Sequence, residues 1–263
     1  MAASPWSWTA ASIHPEVVLA CGLAAAGWAW AWRARGQRPG PGQAARFVGA
    51  LAALLLALNG PLHDLSDGYL FSAHMVQHLV LTLVVPPLLL TGVPGWMLDA
   101  LLRPCLDRRA LRAVVETLTR PLPAFAAYAI ALVGWHLPGP TGMALEIHGW
   151  HVVEHVVLLG ASVLGWWPIA SPSRLVPPLP YAGQLLYLFV FGMPMTVVAA
   201  MVTAAERSLY PFYEAAPRVS ELTALADQRL GGVIMWVPSA IIPLTAFTIV
   251  FFRWAAAEVD ETT

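Results

Sequence analysis

The sequence predicts an all-α protein, a polytopic transmembrane bundle of seven helices, and three observations support this prediction. Of the 263 residues, 58% are hydrophobic. Only 11% are charged, less than half the share of about 25% found in soluble domains. Seven windows of about 20 apolar residues also recur, each long enough to cross a bilayer. We therefore expect a single integral membrane domain over residues 1–263, and the net charge of -1 argues against a nucleic-acid partner.

The predicted spans are joined by short loops, one amphipathic connection and one long loop. Prolines inside them, such as Pro86 and Pro87, predict kinks that neighbouring helices can accommodate by satisfying the freed carbonyl groups. The connection after the third span is amphipathic, and residues 204–229 are expected to form a long outer loop, with room for an interfacial helix. In chain order the predicted spans cover residues 16–32, 47–62, 72–92, 121–137, 149–169, 181–202 and 231–254.

The arginines predict the orientation of the bundle. All 14 basic residues are arginine, and 11 of them fall at the span ends that share one side. By the positive-inside rule this side is cytoplasmic, which places the N-terminus outside and the C-terminus in the cytoplasm. Seven spans require that opposite placement. No basic residue occurs in the first 32 positions, so no cleavable signal is expected.

The most informative pattern is a pair of histidines that occurs twice. His74 and His78 begin the third predicted span, and His151 and His155 begin the fifth. Residues four apart share a helix face, so each pair points in one direction. The residues around the two pairs also match, which indicates a parallel internal repeat. If these two spans pack together, four imidazoles face one cavity inside the membrane, where ionisable groups usually carry function.

The remaining histidines fit the same interpretation. In the predicted topology all eight histidines lie in the outer half of the bundle, a distribution that unrelated structural histidines would rarely adopt. The alternative is that each one only forms a hydrogen bond to a neighbouring helix. We predict a metal site instead, with the ligands His74, His78, His151, His155, His136 and His63.

Auxiliary roles are expected for several other side chains. Gln77 and Glu154 hold equivalent places in the repeat, where they can hydrogen-bond to imidazole N–H groups and set the tautomer. Glu154 can also be a direct ligand, or a protonated group bonded between helices. Thioether with imidazole suits Cu(I), and carboxylate with imidazole suits Zn²⁺ or Cu(II). The other auxiliary candidates are Met75, Met193, Met235, Asp64, His148 and Asp227.

Two of the outer aspartates have simpler interpretations. We expect Asp67 to be a solvated loop residue. Asp227 lies where the last span enters the membrane, so it is expected to pair with Arg229 or to cap a helix. Methionine is also a common gap-filler in packed cores, and this competes with a ligand role for all three methionine candidates.

Three functional classes remain open from the residues alone. The first is a metal-handling or assembly protein that uses the outer histidines as a transfer site. The second is an intramembrane zinc metalloprotease, because residues 151–155 fit an HxxEH pattern with Glu154 as general base. Against it, no third-ligand motif follows, and the first pair has Gln77 in place of the base. The third is a haem b or quinone protein, although a single haem does not use two histidines four apart on one helix.

Several sequence blocks resemble the CtaG family, the assembly factors of caa3-type cytochrome c oxidase. The similarity extends over about residues 62–254, and its first block is the most specific. The blocks are residues 71–79 with 86–92, then Trp135-His136, 151–155, 165–168, Met193-Pro194, Asp227-Gln228 and 231–236.

This resemblance implies a multi-pass protein of the bacterial plasma membrane that helps to mature a haem–copper oxidase, at the stage of copper insertion. Its partner would be an oxidase subunit in the bilayer, the one that contains copper. The implied role is not enzymatic. To it we add a hypothesis from the residues, that the outer histidines hold copper and pass it to that subunit, with zinc or haem less favoured.

Overall fold

Helices account for all the regular structure in residues 12–262, the part of the chain that a computed structural model describes. Residues 1–11, on which the predictions of an outer N-terminus and of no cleavable signal partly rest, lie outside the described residues, as does residue 263. In chain order the elements are α1 Pro15–Arg35, α2 Pro41–Leu58, α3 Pro61–Gly68, α4 Phe71–Leu79, a π turn Val80–Val84, α5 Val85–Gly92, α6 Gly95–Leu106, α7 Arg109–Leu118, α8 Pro121–Trp135, α9 Pro138–Glu146, α10 His148–Ala170, α11 Tyr181–Phe191, α12 Met193–Ala204, α13 Pro211–Ala215 and α14 Ala224–Thr262.

Six of these segments are long and apolar enough to cross a membrane, and they coincide with six of the predicted spans. The all-α prediction is confirmed for the described residues. The six are α1, α2, the run Phe71–Gly92, α10, the run Tyr181–Ala204, and Ala224–Val259 within α14.

The predicted fourth span, residues 121–137, is not one straight helix. α8 has 15 residues, a length of about 22 Å at 1.5 Å per residue, against a hydrocarbon core of about 30 Å. α9 follows it at an angle of 71°. Because Pro138 disfavours a helical conformation at Leu137, the chain turns there. Seven spans are reached only if this bent pair is one span, so the orientation of the termini stays a prediction.

The run Phe71–Gly92 contains a π turn just before two prolines. Pro86 has no N–H to donate to the carbonyl of Thr82, four residues earlier. The indole of Trp166, on α10, donates to that carbonyl instead, at 2.9 Å. A neighbouring helix thus satisfies the freed carbonyl. The bond also joins the two segments that carry the histidine pairs.

α14 packs closely on both α4 and α12 at two adjacent glycines. A Cβ on Gly231 would lie 2.5 Å from the ring of Phe71 and 3.1 Å from the side chain of Met75. A Cβ on Gly232 would collide with the side chain of Thr203. Gly231 therefore allows the close approach of α14 to α4, the helix that carries the first histidine pair, and Gly232 allows its close approach to α12.

The segment predicted as a long outer loop, residues 204–229, includes α13 and the first turns of α14. Tyr213 of α13 is buried and donates a hydrogen bond to the carbonyl of Ser66, at 2.6 Å. Tyr210 donates to the carbonyl of His136, at 2.9 Å. The segment therefore packs over the same end of the bundle as α3 and the end of α8, where the histidines lie.

Candidate metal centre

All eight histidines of the chain belong to one network of neighbouring rings. Within each predicted pair the ring centroids are close, 4.1 Å apart for His74 and His78 and 4.3 Å for His151 and His155. Between the pairs, His74 lies 5.9 Å from His151, and His78 lies 6.1 Å from His155. The structure thus turns the two pairs toward each other from α4 and α10.

Glu154 lies between the two pairs. Its Oε1 atom is 3.8 Å from Nε2 of His74 and 3.6 Å from Nε2 of His78. It also forms a group with His151 and His155, and in each of the two groups one ligand atom per residue lies within 4.8 Å of the others. Two sets of potential ligands therefore share one fully buried carboxylate.

Most of the polar atoms of this cluster are buried without hydrogen bonds. Among the residues that the structure describes, both oxygens of Glu154, both ring nitrogens of His74, and Nε2 of His78, His151 and His155 have no hydrogen-bond partner. An ionised carboxylate without a partner is strongly disfavoured in a low-dielectric interior. Either a proton or a cation must therefore accompany Glu154.

The hydrogen bonds of His136 and His78 leave a lone pair on Nε2 of His78, the nitrogen that faces Glu154. Nδ1 of His136 lies 2.7 Å from the carbonyl oxygen of Leu132, which can only accept, so this nitrogen carries the hydrogen. In the neutral ring, Nε2 of His136 then accepts, and its partner Nδ1 of His78, at 3.4 Å, donates. Nε2 of His78 is left as an acceptor facing the carboxylate. Two acceptors that face each other suit a cation between them.

His151 is oriented by a residue that the sequence interpretation placed in solvent. Its Nδ1 donates to Oδ1 of Asp67 at 2.9 Å, which leaves Nε2 free to bind a metal. Burial acts to raise the pKa of Asp67, but the hydrogen bond from His151, together with the neighbouring imidazoles, outweighs it and holds this pKa below its usual value. The expectation of a solvated loop residue is only partly right: the side chain of Asp67 is 44% exposed, but it lies on the helix α3, which places its carboxylate against α10.

Gln77 fixes the tautomer of a different histidine from the one expected. Its Nε2 donates to the carbonyl of Ala57 at 2.8 Å and to Nδ1 of His63 at 2.9 Å. His63 therefore carries its hydrogen on Nε2. Burial, as the main cause, lowers the pKa of His63 to about 4, so the ring is neutral. Its ring lies 5.5 Å from that of His151.

Asp227 caps the helix that carries the first pair. Its carboxylate accepts from the backbone N–H of Phe71 at 2.7 Å and from the backbone N–H and hydroxyl of Ser72 at 3.3 and 2.5 Å. These are N–H groups of the first turn, which lack partners within the helix. Of the two expected roles, the structure shows a cap, on α4, while Arg229 bonds to the carbonyl of Ala205.

The other auxiliary candidates lie outside the cluster. Met75 is buried against Gly231, and Met235 is in the hydrophobic core. Met193 is 46% exposed. Asp64 accepts a hydrogen bond from the backbone N–H of Ser12. His148 lies apart from the two pairs, beside His14 and Glu16. The sequence did not single out His14 and Glu16 as ligands, because His148 is more than 130 positions away from them.

The fold and this site define a helical protein with six or seven candidate membrane spans and a buried histidine–carboxylate cluster. The family described as cytochrome c oxidase caa3 assembly factor (Caa3_CtaG) matches residues 25–257. The chain belongs to this family, and the resemblance noted in the sequence is confirmed.

Two curated relatives carry no functional description. They are uncharacterized proteins of Mycobacterium bovis and Mycobacterium tuberculosis, each 25% identical over 204 residues. The matched part is 71% of this chain and 30% of each relative, so the chain spans less than a third of their length. No solved structure matches the chain.

Proposed function

We propose that this protein assists the assembly of a caa3-type haem–copper oxidase by holding copper in the buried cluster and passing it to an oxidase subunit in the bilayer. The observation that carries the proposal is Glu154, a buried carboxylate with no hydrogen-bond partner among the described residues, set between two histidine pairs. Membership of the assembly-factor family supports the oxidase as the destination. Copper is here the cargo of the protein.

The donor set favours a divalent ion. The cluster offers four imidazoles and one carboxylate, and its nearest methionine in sequence, Met75, packs toward α14 instead. Imidazole with carboxylate suits Cu(II) or Zn²⁺, whereas Cu(I) prefers thioether or thiolate ligands. We therefore propose Cu(II) as the bound form, with Zn²⁺ as the nearest competitor.

The shared carboxylate allows one ion or two. His74, His78 and Glu154 form one group of three ligands, and His151, His155 and Glu154 form the other. Either group leaves a coordination position open, which a handover to another protein requires. A second ion would have to share Glu154 with the first, so the stoichiometry of binding reports directly on the arrangement.

The arginine distribution favours a position of the cluster near the outer surface, and the proposed membrane is the bacterial plasma membrane. In that position the protein receives copper from outside the cytoplasm and delivers it within the bilayer. The partner is then the copper-containing subunit of the oxidase. This places the handover among membrane-embedded proteins, with no need for a soluble carrier on the cytoplasmic side.

The test is the metal content of the purified protein in detergent after loading with Cu²⁺ and desalting. We expect one or two copper ions per chain in the wild type and a loss of at least one in His74→Ala/His78→Ala. Met193→Ala, an exposed residue outside the cluster, is the matched control. Equal copper in the double variant and the control would remove these histidines from the site.

The same preparation separates the two alternatives. A Soret band in the visible spectrum would assign haem in place of copper. Peptide hydrolysis by the zinc-loaded protein, abolished in Glu154→Gln, would assign a metalloprotease that uses residues 151–155. Copper without either result supports the assembly role.

A further inference from the structure

A second group of ligand-type side chains lies at the surface. His14 precedes α1, Glu16 is in its first turn, and His148 begins α10. One ligand atom from each lies within 4.8 Å of the others. Nδ1 of His14 is 3.1 Å from Oε1 of Glu16, and the rings of His14 and His148 stack at 5.9 Å. The side chain of Glu16 is 48% exposed, in contrast to the fully buried Glu154.

The backbone around His14 is held in place. Its N–H donates to Oδ1 of Asn59 at 2.7 Å, and the N–H of Gly60 donates to the carbonyl of Ser12 at 2.9 Å. The N–H of Ser12 in turn donates to Oδ2 of Asp64 at 3.1 Å. These bonds fasten the segment before α1 to the connection between α2 and α3. The imidazole of His14 is therefore positioned by the fold, as a metal ligand needs to be.

One cavity connects this surface group to the buried cluster. It has a volume of about 310 Å³ and is otherwise lined by apolar side chains of α1, α2, the π turn and α10. The ring of His63 lies between the two ends, 4.3 Å from His14 and 5.5 Å from His151. His63 also lies 6.4 Å from His155. The polar residues of the cavity are those of the surface group with His63, His151 and His155.

We infer that His14, Glu16 and His148 form a loading site that captures a divalent copper ion and passes it along the cavity, past the ring of His63, to the buried cluster. This inference rests on the proposed function. Three ligands, of which Glu16 and His148 are exposed and His14 is partly buried, bind an ion weakly and leave positions free for exchange, whereas the buried groups hold it away from water. The transfer exchanges one set of ligands for another and leaves copper as Cu(II), and a proton held by Glu154 without metal is released to water. Exposure falls along the route, from Glu16 through His63 to Glu154.

The experiment separates the rate of loading from the final capacity. Cu²⁺ is mixed with the purified protein in detergent, and quenching of tryptophan fluorescence, to which Trp150 in the first turn of α10 contributes, gives the loading rate. Copper that remains after desalting gives the capacity of the buried cluster. The variants are Glu16→Gln and His14→Ala/His148→Ala. Glu221→Gln is the matched control, since Glu221 is an exposed carboxylate between α13 and α14.

We expect both loading-site variants to load about tenfold more slowly than the control, because a charged ligand group at the mouth raises the local concentration of the cation. Their retained copper should equal that of the wild type, which also shows that they are folded. An unchanged rate overturns the loading site and leaves the proposed function standing. If the loading-site variants lose their retained copper, the surface group and the buried cluster are not separate sites. A wild type that retains no copper contradicts the proposed function itself.

Discussion

Nε2 of His78 lies 3.6 Å from Oε1 of Glu154, and the hydrogen bonds from His78 to His136 and from His136 to Leu132 leave no hydrogen on that nitrogen. Two acceptors therefore face each other in a buried space. A proton on the carboxylate would relieve the contact, and so would a cation bound to both atoms. The second pair of histidines on the other side of Glu154 favours the cation, because a single proton does not require four imidazoles.

In Glu154→Gln, the thermal stability of the protein should no longer depend on added copper. The variant keeps the volume of the side chain but removes the charge that the cation balances. We expect thermal unfolding without metal to occur at the same temperature as in the wild type or higher. Bound copper stabilises the wild type by about 2.7 kcal/mol when the free ion is at 100 times its Kd, and this increment should be largely lost in the variant. An equal rise in Tm on adding Cu²⁺ to both proteins would contradict a role for Glu154.

His136→Ala should weaken copper binding without abolishing it. The imidazole of His136 sets the tautomer of His78, and removal of such an orienting group typically costs about 10- to 100-fold in metal affinity. Competition against a chelator of known affinity measures the change. Tyr210→Phe is the control, because it removes the hydrogen bond to the carbonyl of His136 and leaves the imidazole in place. Equal affinity in His136→Ala and the control would exclude the orienting role.

Asp227→Ala should destabilise the start of α4. The carboxylate accepts two backbone N–H bonds and one hydroxyl bond there, and loss of a helix N-cap costs about 0.5–2 kcal/mol. Hydrogen exchange of the first turn of α4 should accelerate, and copper affinity should fall because His74 lies in the next turn. Asp227→Asn, which retains an acceptor oxygen, should show a smaller effect. Unchanged exchange in Asp227→Ala would refute the cap.

Trp166→Phe should loosen the contact between α10 and the π turn. The variant leaves the carbonyl of Thr82 without its donor, and an unsatisfied buried polar group costs about 1–3 kcal/mol. We expect a lower Tm and faster hydrogen exchange in the π turn. Trp236→Phe is the matched control, since Trp236 is 42% exposed. If both variants lose the same stability, the indole bond has no special role.

The local pattern of the sequence was sufficient to predict six of the spanning segments and the two histidine pairs. Spacing of four residues places His74 and His78 on one face, and the same geometry turns Met75 about 100° away, toward α14. These features depend on the backbone of one segment, which is why the residues alone reveal them.

The partners of the site depend on packing between distant segments and could not be read from the sequence. Asp67 bonds to His151, and Gln77 bonds to His63 in place of the pair on its own helix. Asp227 caps a helix that begins 156 positions earlier. No spacing rule relates such residues, since each contact exists only after α3, α4, α10 and α14 have come together.

The most direct test of a metal centre at Glu154 is the electron paramagnetic resonance spectrum of the protein loaded with one equivalent of Cu²⁺ and then desalted. The histidine pairs predict a bound Cu(II) signal with hyperfine splitting from at least two imidazole nitrogens, which His74→Ala/His151→Ala should reduce or abolish. Absence of bound copper in the wild type, or an identical spectrum in the double variant, would contradict the account.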